Sequence, residues 1–415
     1  MVAGVRALAA AATAAATAAL VALTSLTEAN AARVVLVHGL LGFGPTELWG
    51  LNYWGCTGHW PAQNYSLTLT DGGRNEVYYA VVGKVSSNWD RMCELYAQIK
   101  GTKTDYGYWH ALLNNHTRFG PDYTGIGFIP TWGATDKIHL VGHSMGPMTN
   151  KFLLHYLREG APSEQVAYPP GQAPMSELFQ GGNDWIVALH SVSGVYNGSP
   201  LATAVGPGIL NIATNFLTLA SQFAPDIPGE SGLYDFMLDQ YAIPPQVPNE
   251  SPLQYLERIG NADLAVYFSV HYNDTALHDL TPEGCYEFNS IAKYTYDDVF
   301  YFSHTTSRTF DGVTGGLQPF WLLIATVADN PEDCKTGFTC SAADEWCQMG
   351  ATPTPSPFCY DTTWETNDAL VPQRSARSPE IGVPAGQYIG ARLSPPRARV
   401  GPLTSLARGP LTPAS

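Results

Sequence analysis

The stretch that most constrains this chain is Lys137–Gly146, which reads KIHLVGHSMG. Ile138 to Val141 has the look of a buried strand, and it runs directly into Gly142-His143-Ser144-Met145-Gly146, a G-x-S-x-G turn. Such a turn needs glycine on both sides of the serine, because a Cβ there would clash as the chain doubles back. Pro147 to Leu157 follows with apolar residues at helical spacing, and Pro147 falls in the first turn, where its missing N–H costs nothing. Strand, sharp turn and helix together make Ser144 a candidate nucleophile held at the tip of the turn. The five-residue motif recurs by chance in many chains, and it is this context that carries the reading.

Other segments fall into place around it. Arg33–Val37 is a β-branched run short enough for a buried parallel strand, and it ends in the glycine-rich His38–Gly44. That turn is either an ordinary glycine loop or a place where backbone N–H groups face the serine. Val77–Val82, Trp185–Val192 and Val299–Ser303 read as further strands. Trp89–Ile99 reads as a helix with Asn88 as its N-cap. Leu201 to Phe223 is apolar at roughly helical spacing, which suits a core helix or a lid, over about residues 201–225, that covers a greasy site.

Thirty-six acidic against twenty-one basic residues give a net charge of −15. That argues against nucleic acid and anionic membrane surfaces as partners, and solubility is the simplest account of it. Residues 1–32 carry Arg6, an Ala/Leu/Val run and Ala29-Asn30-Ala31, the pattern of a cleaved secretory signal and hence of a secreted protein. No later segment is long and apolar enough to span a bilayer. Seven cysteines then suggest disulfides with one thiol left over. Cys334, Cys340, Cys347 and Cys359 crowd a Pro/Thr-rich loop at about 330–360, while Cys56, Cys93 and Cys285 are scattered, so no pairing is assigned. Sequons at Asn64, Asn115, Asn197, Asn249 and Asn273 fit a secretory route. Residues 373–415 are rich in Pro, Arg, Ser and Gly, contain no Lys and show no periodicity, which reads as disordered or aberrant sequence.

Several short words are shared with one family. They are Val34–Gly44, Tyr53-Trp54-Gly55, Ser86-Ser87-Asn88-Trp89-Asp90-Arg91 with Cys93-Glu94, Asp105-Tyr106-Gly107, Arg118-Phe119-Gly120 and His143-Ser144. Leu178–Gly182, Tyr234-Asp235-Phe236 with Leu238-Asp239-Gln240, Tyr255–Arg258 and Asp274-Thr275-Ala276 continue the series. On these words the chain resembles the zinc-containing bacterial triacylglycerol lipases of the thermophilic-bacillus and staphylococcal type, from about Val34 to Gly316 and again around Asn367-Asp368. The resemblance implies an α/β-hydrolase fold, a mostly parallel sheet flanked by helices, with an inserted metal-binding subdomain and a helical lid, over residues 33–372. It implies a serine hydrolase acting on lipid esters, with Ser144 as nucleophile, Asp368 as triad acid, and the backbone N–H groups of Leu40 and Met145 as the oxyanion hole. It further implies a structural Zn²⁺ on Asp90, His110, His116 and Asp274, donors that suit zinc and close a tetrahedron. Sequons abutting that set, at Asn115 and Asn273, are then expected to stay unmodified.

The chain also departs from the family. Hydrolases of this fold run serine, acid, histidine along the chain, yet the last histidine here is His304. Nothing after Asp368 can serve as the base, and the family's Ca²⁺ site, which draws on the same closing segment, is in doubt with it. Three readings remain. The tail belongs to a misread frame, as its arginine-without-lysine composition suggests; or the chain is a catalytically inactive relative that binds lipid or a partner; or His304 or His271 swings in as the base.

Overall fold

In the computed structural model of this chain, residues 32–50, 53–54, 76–199, 233–260, 264–292 and 295–304 are described, with short pieces at 202, 213–214, 217–218, 309–310, 313–314, 351–352, 359–360, 371, 373–376 and 400–402. The β-branched run Arg33–Val37 forms β1, buried from Val34 onward, as a strand flanked on both sides must be. It lies between β2, Glu76–Ala80, and the strand Ile138–His143, each paired parallel to it. Ile186–Val192, Phe300–His304 and Val400–Pro402 extend the same sheet, again parallel. Read from its first edge, the sheet runs Val400–Pro402, Phe300–His304, Ile186–Val192, Ile138–His143, β1, β2. This is the parallel α/β arrangement expected from the sequence, and it puts the strand that ends at Ser144 in the middle.

Two helices fill one face of the sheet. The first, Asn88–Lys100, is buried along most of its length, and the second, Gly146–Glu159, packs against it directly behind the serine. Met92, Leu95 and Ile99 from the first and Met148, Leu153 and Leu157 from the second share one apolar core with Val35, Val37, Leu140 and Leu189 of the sheet. The opposite face is less covered: His139, Val141, His143, His190, Val192, Phe302 and His304 are each only partly buried. A second apolar cluster, beside the main core, joins Leu41 and Leu48 after β1 to Tyr234, Phe236, Tyr255, Tyr267 and Leu277.

One local expectation is corrected. Asn88 is not the cap of its helix; Ser87 is, its hydroxyl accepting from the Asp90 N–H, while the Asn88 side chain accepts from the Thr149 hydroxyl at 2.8 Å. Serine and asparagine cap about equally well, so local chemistry alone does not choose between neighbours. The candidate lid falls almost wholly outside the described residues, where only Ala202, Ala213, Thr214, Leu217 and Thr218 are placed. The crowded cysteine loop lies outside them except for Ala351-Thr352 and Cys359-Tyr360, and Cys93 and Cys285 are buried free thiols. Asp368 also lies outside them, but Val371 and Ala376, just beyond it, are buried in the main core, and the Ser375 hydroxyl accepts from the Asn197 N–H at 3.0 Å.

Candidate active site and metal centre

Ser144 adopts φ 57°, a left-handed conformation that costs a β-carbon-bearing residue about 1–3 kcal/mol unless its surroundings impose it. They do. Its N–H donates to the Val192 carbonyl at 3.0 Å and its carbonyl accepts from the Val195 N–H at 3.2 Å. A Cβ on Gly142 would lie 2.3 Å from the Pro147 nitrogen, and one on Gly146 would lie 2.2 Å from the Val37 carbonyl oxygen. Both glycines are therefore steric requirements of the turn.

The turn after β1 packs onto the serine. A Cβ on Gly39 would meet the Ser144 Cβ at 2.7 Å and its Oγ at 3.1 Å. The amides of this turn have an uneven distribution of partners. The Gly39 N–H donates to the Tyr53 hydroxyl at 2.9 Å, the Leu41 N–H to the Lys84 carbonyl at 2.9 Å and the Gly42 N–H to the Gly39 carbonyl at 3.1 Å. Among the described residues the Leu40 N–H has no acceptor, and neither does the N–H of Met145. Met145 is buried and Leu40 partly buried, and buried amides are almost always paired, so two orphan donors in the turns next to Ser144 are free to meet a charge.

The turn is locked from several directions. The Tyr53 hydroxyl donates to His143 Nδ1 at 2.6 Å, and burial pushes the phenol up to about 12, so it stays a neutral donor. His38 is fully buried, its Nδ1–H donating to the Gly39 carbonyl at 2.8 Å and its Nε2 accepting from the Val82 N–H at 3.2 Å. Burial, with Arg91 and Lys84 nearby, holds that imidazole well below its ordinary range, so His38 is neutral and fully engaged. It offers no base to Ser144. A buried Lys84–Glu47 pair at 3.0 Å ties the far end of the same loop, Glu47 also accepting from the Gly44 N–H at 2.7 Å.

No described histidine hydrogen-bonds the Ser144 hydroxyl. His304 ends its strand in register with Val192 and stacks toward His190, ring centres 6.5 Å apart. His271 packs on Tyr241 and Tyr267, in the second cluster.

A separate group gathers Asp90, His110, His116 and Asp274, all four donor atoms lying within 4.8 Å of one another. Asp90 comes from the first turn of the long helix, His110 from a short helix Tyr108–Asn114, His116 from just beyond it and Asp274 from a 3₁₀ turn. Glu164 aims the short helix by accepting from the Trp109 and His110 N–H groups, each at 2.8 Å, and Trp89 stacks on the His110 ring at 4.8 Å. Gly107 has no room for a Cβ, which would sit 2.5 Å from the Glu164 carboxyl carbon.

The donor set fits a metal. The His110 Nε2 lies 3.2 Å from Asp90 and 3.3 Å from Asp274, and the His116 Nε2 lies 4.0 and 3.6 Å from the same carboxylates. Metal–ligand bonds of 2.0–2.1 Å in a tetrahedron put donors about 3.3 Å apart. His116 is the sharper indicator. Its Nδ1–H donates to the Thr117 carbonyl at 2.8 Å, leaving the Nε2 lone pair buried in the cluster with no partner. The second oxygen of Asp90 accepts from Gln240 at 2.7 Å and an oxygen of Asp274 accepts from the Tyr241 hydroxyl, the outer support that metal carboxylates usually have. Burial pushes the His110 imidazole down, but Asp274 and Asp90 outweigh it and raise it to about 10, while the same contact holds Asp274 below the usual carboxylate range. A metal and a proton thus compete for one site. The four candidate ligands came from the resemblance and the structure brings all four together. Tyr53, Arg91, Gln240 and Tyr241 were not foreseen as part of either centre, although Tyr53, Arg91 and Gln240 stood inside matched words.

Comparison with known proteins agrees with this geometry. The sequence profile of the lipase-like C-terminal domain family matches residues 30–327. A lipase of Staphylococcus epidermidis is 34% identical over 290 residues, 67% of this chain and 39% of the relative, and a lipase of Staphylococcus hyicus is 30% identical over 349 residues, 83% and 48%. The chain thus spans less than half the length of these curated relatives. Among solved structures, lipase 1 of Pelosinus fermentans superimposes with a TM-score of 0.65 at 32% identity, covering 85% of each chain. EstA of Clostridium botulinum gives 0.65 at 31%, covering 85% of this chain and 75% of that one, and the lipase of Staphylococcus hyicus gives 0.60 at 28%, covering 85% and 81%. With its fold, its elbow serine and a profile match over most of its length, the chain belongs to the lipase-like C-terminal domain family.

Proposed function

We propose that this chain carries a carboxylic-ester hydrolase site for lipid esters, most simply triacylglycerols, working through an acyl-enzyme on Ser144. The observation that supports the reading is the pair of amides, Leu40 and Met145, that have no acceptor among the described residues and lie in the turns next to a serine strained into the left-handed region. In the reaction, the Ser144 Oγ forms a bond to the ester carbonyl carbon and the carbonyl electrons move to its oxygen, which those amides then hold. Such donors add little in the ground state and much once charge develops, which is what catalysis requires. Collapse expels the alcohol, and water releases the fatty acid by the same route in reverse. Each stage needs a group that takes and returns the serine proton; Asp368 would orient it, and it would ordinarily be a histidine.

No histidine follows Asp368 in this chain. We therefore expect the 415-residue protein to turn over long-chain esters slowly. Purified protein that hydrolyses such an ester rapidly, and loses this in Ser144→Ala, would refute the expectation of a missing base. A second reading, a lipid-binding relative without turnover, draws on the same observation. The transcript decides between them: an alternative frame beyond the codon for about Pro379 that encodes an Asp-His pair and an amphipathic helix supports the enzyme.

For the metal centre we propose Zn²⁺. Two imidazole nitrogens with two carboxylate oxygens suit zinc better than calcium, which prefers an all-oxygen shell of six to eight ligands. Four protein ligands leave no open position, so the ion would join the Asp90, His110, His116 and Asp274 segments and take no part in the chemistry. Secretion, with residues 1–32 as signal, and a lipid interface as the place of action complete the proposal. No described helix is long and apolar enough to cross a membrane.

A further inference from the structure

Arg91 is completely buried, yet it appears in none of the ion pairs among the described residues. An isolated buried cation is expensive, and its cost must be offset by hydrogen bonds from its surroundings. Three of its donors go to neutral oxygens. Nε donates to the Thr149 hydroxyl at 3.0 Å, one terminal nitrogen to the Gly83 carbonyl at 2.6 Å, and the other to the His38 carbonyl. Thr149 lies on the helix that begins at Gly146, and Gly83 lies in the segment that follows β2. A fold seeking stability alone gains little from a charge here, since a well-packed apolar side chain is usually as good.

The third acceptor shows what the charge is for. The His38 carbonyl belongs to the peptide whose N–H, on Gly39, donates to the Tyr53 hydroxyl. The next peptide has its carbonyl, on Gly39, held by His38 Nδ1, and its N–H is the orphan amide of Leu40. With three of the four polar groups of two successive peptides fixed, the fourth can point in only one direction. We propose that Arg91 is the positioning residue of the oxyanion turn. Its planar fork fastens the His38–Gly39 peptide to the elbow helix so that the Leu40 N–H faces Ser144, and its positive charge polarises that peptide toward an arriving anion. This deepens the ester-hydrolase reading and rests on it.

The test needs no turnover, and so does not depend on a base. A long-chain alkylboronic acid accepts the Ser144 oxygen as a fourth ligand, the serine proton going to solvent, and the resulting anionic boron carries an oxygen where the ester oxyanion would sit. Adduct formation is followed by boron NMR on the 415-residue wild type and on Ser144→Ala, Arg91→Met, Arg91→Lys and Thr149→Val. Affinity for the matching long-chain alcohol, which fills the same site without becoming charged, is measured beside it. Wild type should form the tetrahedral adduct and Ser144→Ala should not. Arg91→Met should bind the boronate roughly 10- to 100-fold more weakly, somewhat less than the loss of a direct oxyanion donor, with the alcohol unchanged. Arg91→Lys should not restore binding, because an ammonium lacks the fork needed to reach three acceptors. If Arg91→Met does not fold, Thr149→Val, which removes one acceptor at the edge, should still weaken the boronate by a few fold. Undiminished boronate affinity in folded Arg91→Met, or in Thr149→Val where Arg91→Met is unfolded, overturns the assignment, as does an equal loss for boronate and alcohol. No adduct in wild type refutes Ser144 as nucleophile and the inference with it.

Discussion

Removing His110 should empty the metal centre, and the size of the effect follows from the geometry. Four donors converge within 4.8 Å, two of them carboxylates on Asp90 and Asp274 that are 0% and 3% exposed. A cation that binds only the folded chain stabilises it by about 2.7 kcal/mol when its free concentration is 100 times Kd. At roughly 2–4 °C per kcal/mol for domains approaching this size, saturating zinc should raise the melting temperature by about 5–10 °C over chelated protein. His110→Ala removes one of four ligands and the ring stacked on Trp89, so some destabilisation is expected with or without metal. The informative quantity is the zinc-dependent shift within each variant, which should fall below about 2 °C in His110→Ala because three ligands bind at least a hundredfold more weakly. Calorimetry with and without chelator, paired with elemental analysis, reads both quantities. One zinc per chain in wild type and little in the variant is the expected result; equal zinc in both would sink the assignment.

Three further outcomes follow. Gly146→Ala would place a Cβ 2.2 Å from the Val37 carbonyl, so it should cost about 1–3 kcal/mol in denaturant unfolding and open the elbow; a change near zero contradicts the steric reading. Tyr53→Phe leaves the Gly39 N–H without its acceptor, a loss of about 1–3 kcal/mol, and it should weaken boronate capture more than alcohol binding. Burial holds His190 down to about 4, with His139 and His304 adding repulsion. Its unfolded form binds protons more readily, so its contribution is intact above about pH 6.5 and is lost as pH falls from there toward 4. Melting curves of wild type and His190→Gln should accordingly converge as pH drops through that window, and a constant gap would contradict the assignment.

Much of the fold was legible because its signals are local. A β-branched run such as Arg33–Val37 has few alternatives to a buried strand, and G-x-S-x-G between a strand and a helix has few alternatives to an elbow. The candidate metal ligands were legible only through shared words, since no periodicity links positions 90, 110, 116 and 274. What holds the His38–Gly44 turn was not legible. Tyr53, Val82, Lys84 and Arg91 reach it by contacts whose meaning depends on which backbone groups remain unpaired, a property of the folded chain alone. The expectation of Asn88 as cap failed for a related reason, because Thr149, 61 positions away, claims the asparagine and Ser87 caps instead.

Supplying the base from solution tests the central claim most directly. Hydrolysis of a long-chain ester by the 415-residue chain should be slow alone and should rise saturably with added imidazole, by an amount absent from Ser144→Ala. A rate near the enzyme median of about 10 per second without imidazole, or an imidazole effect equal in wild type and Ser144→Ala, would contradict a site with its nucleophile and oxyanion donors in place and only its base missing.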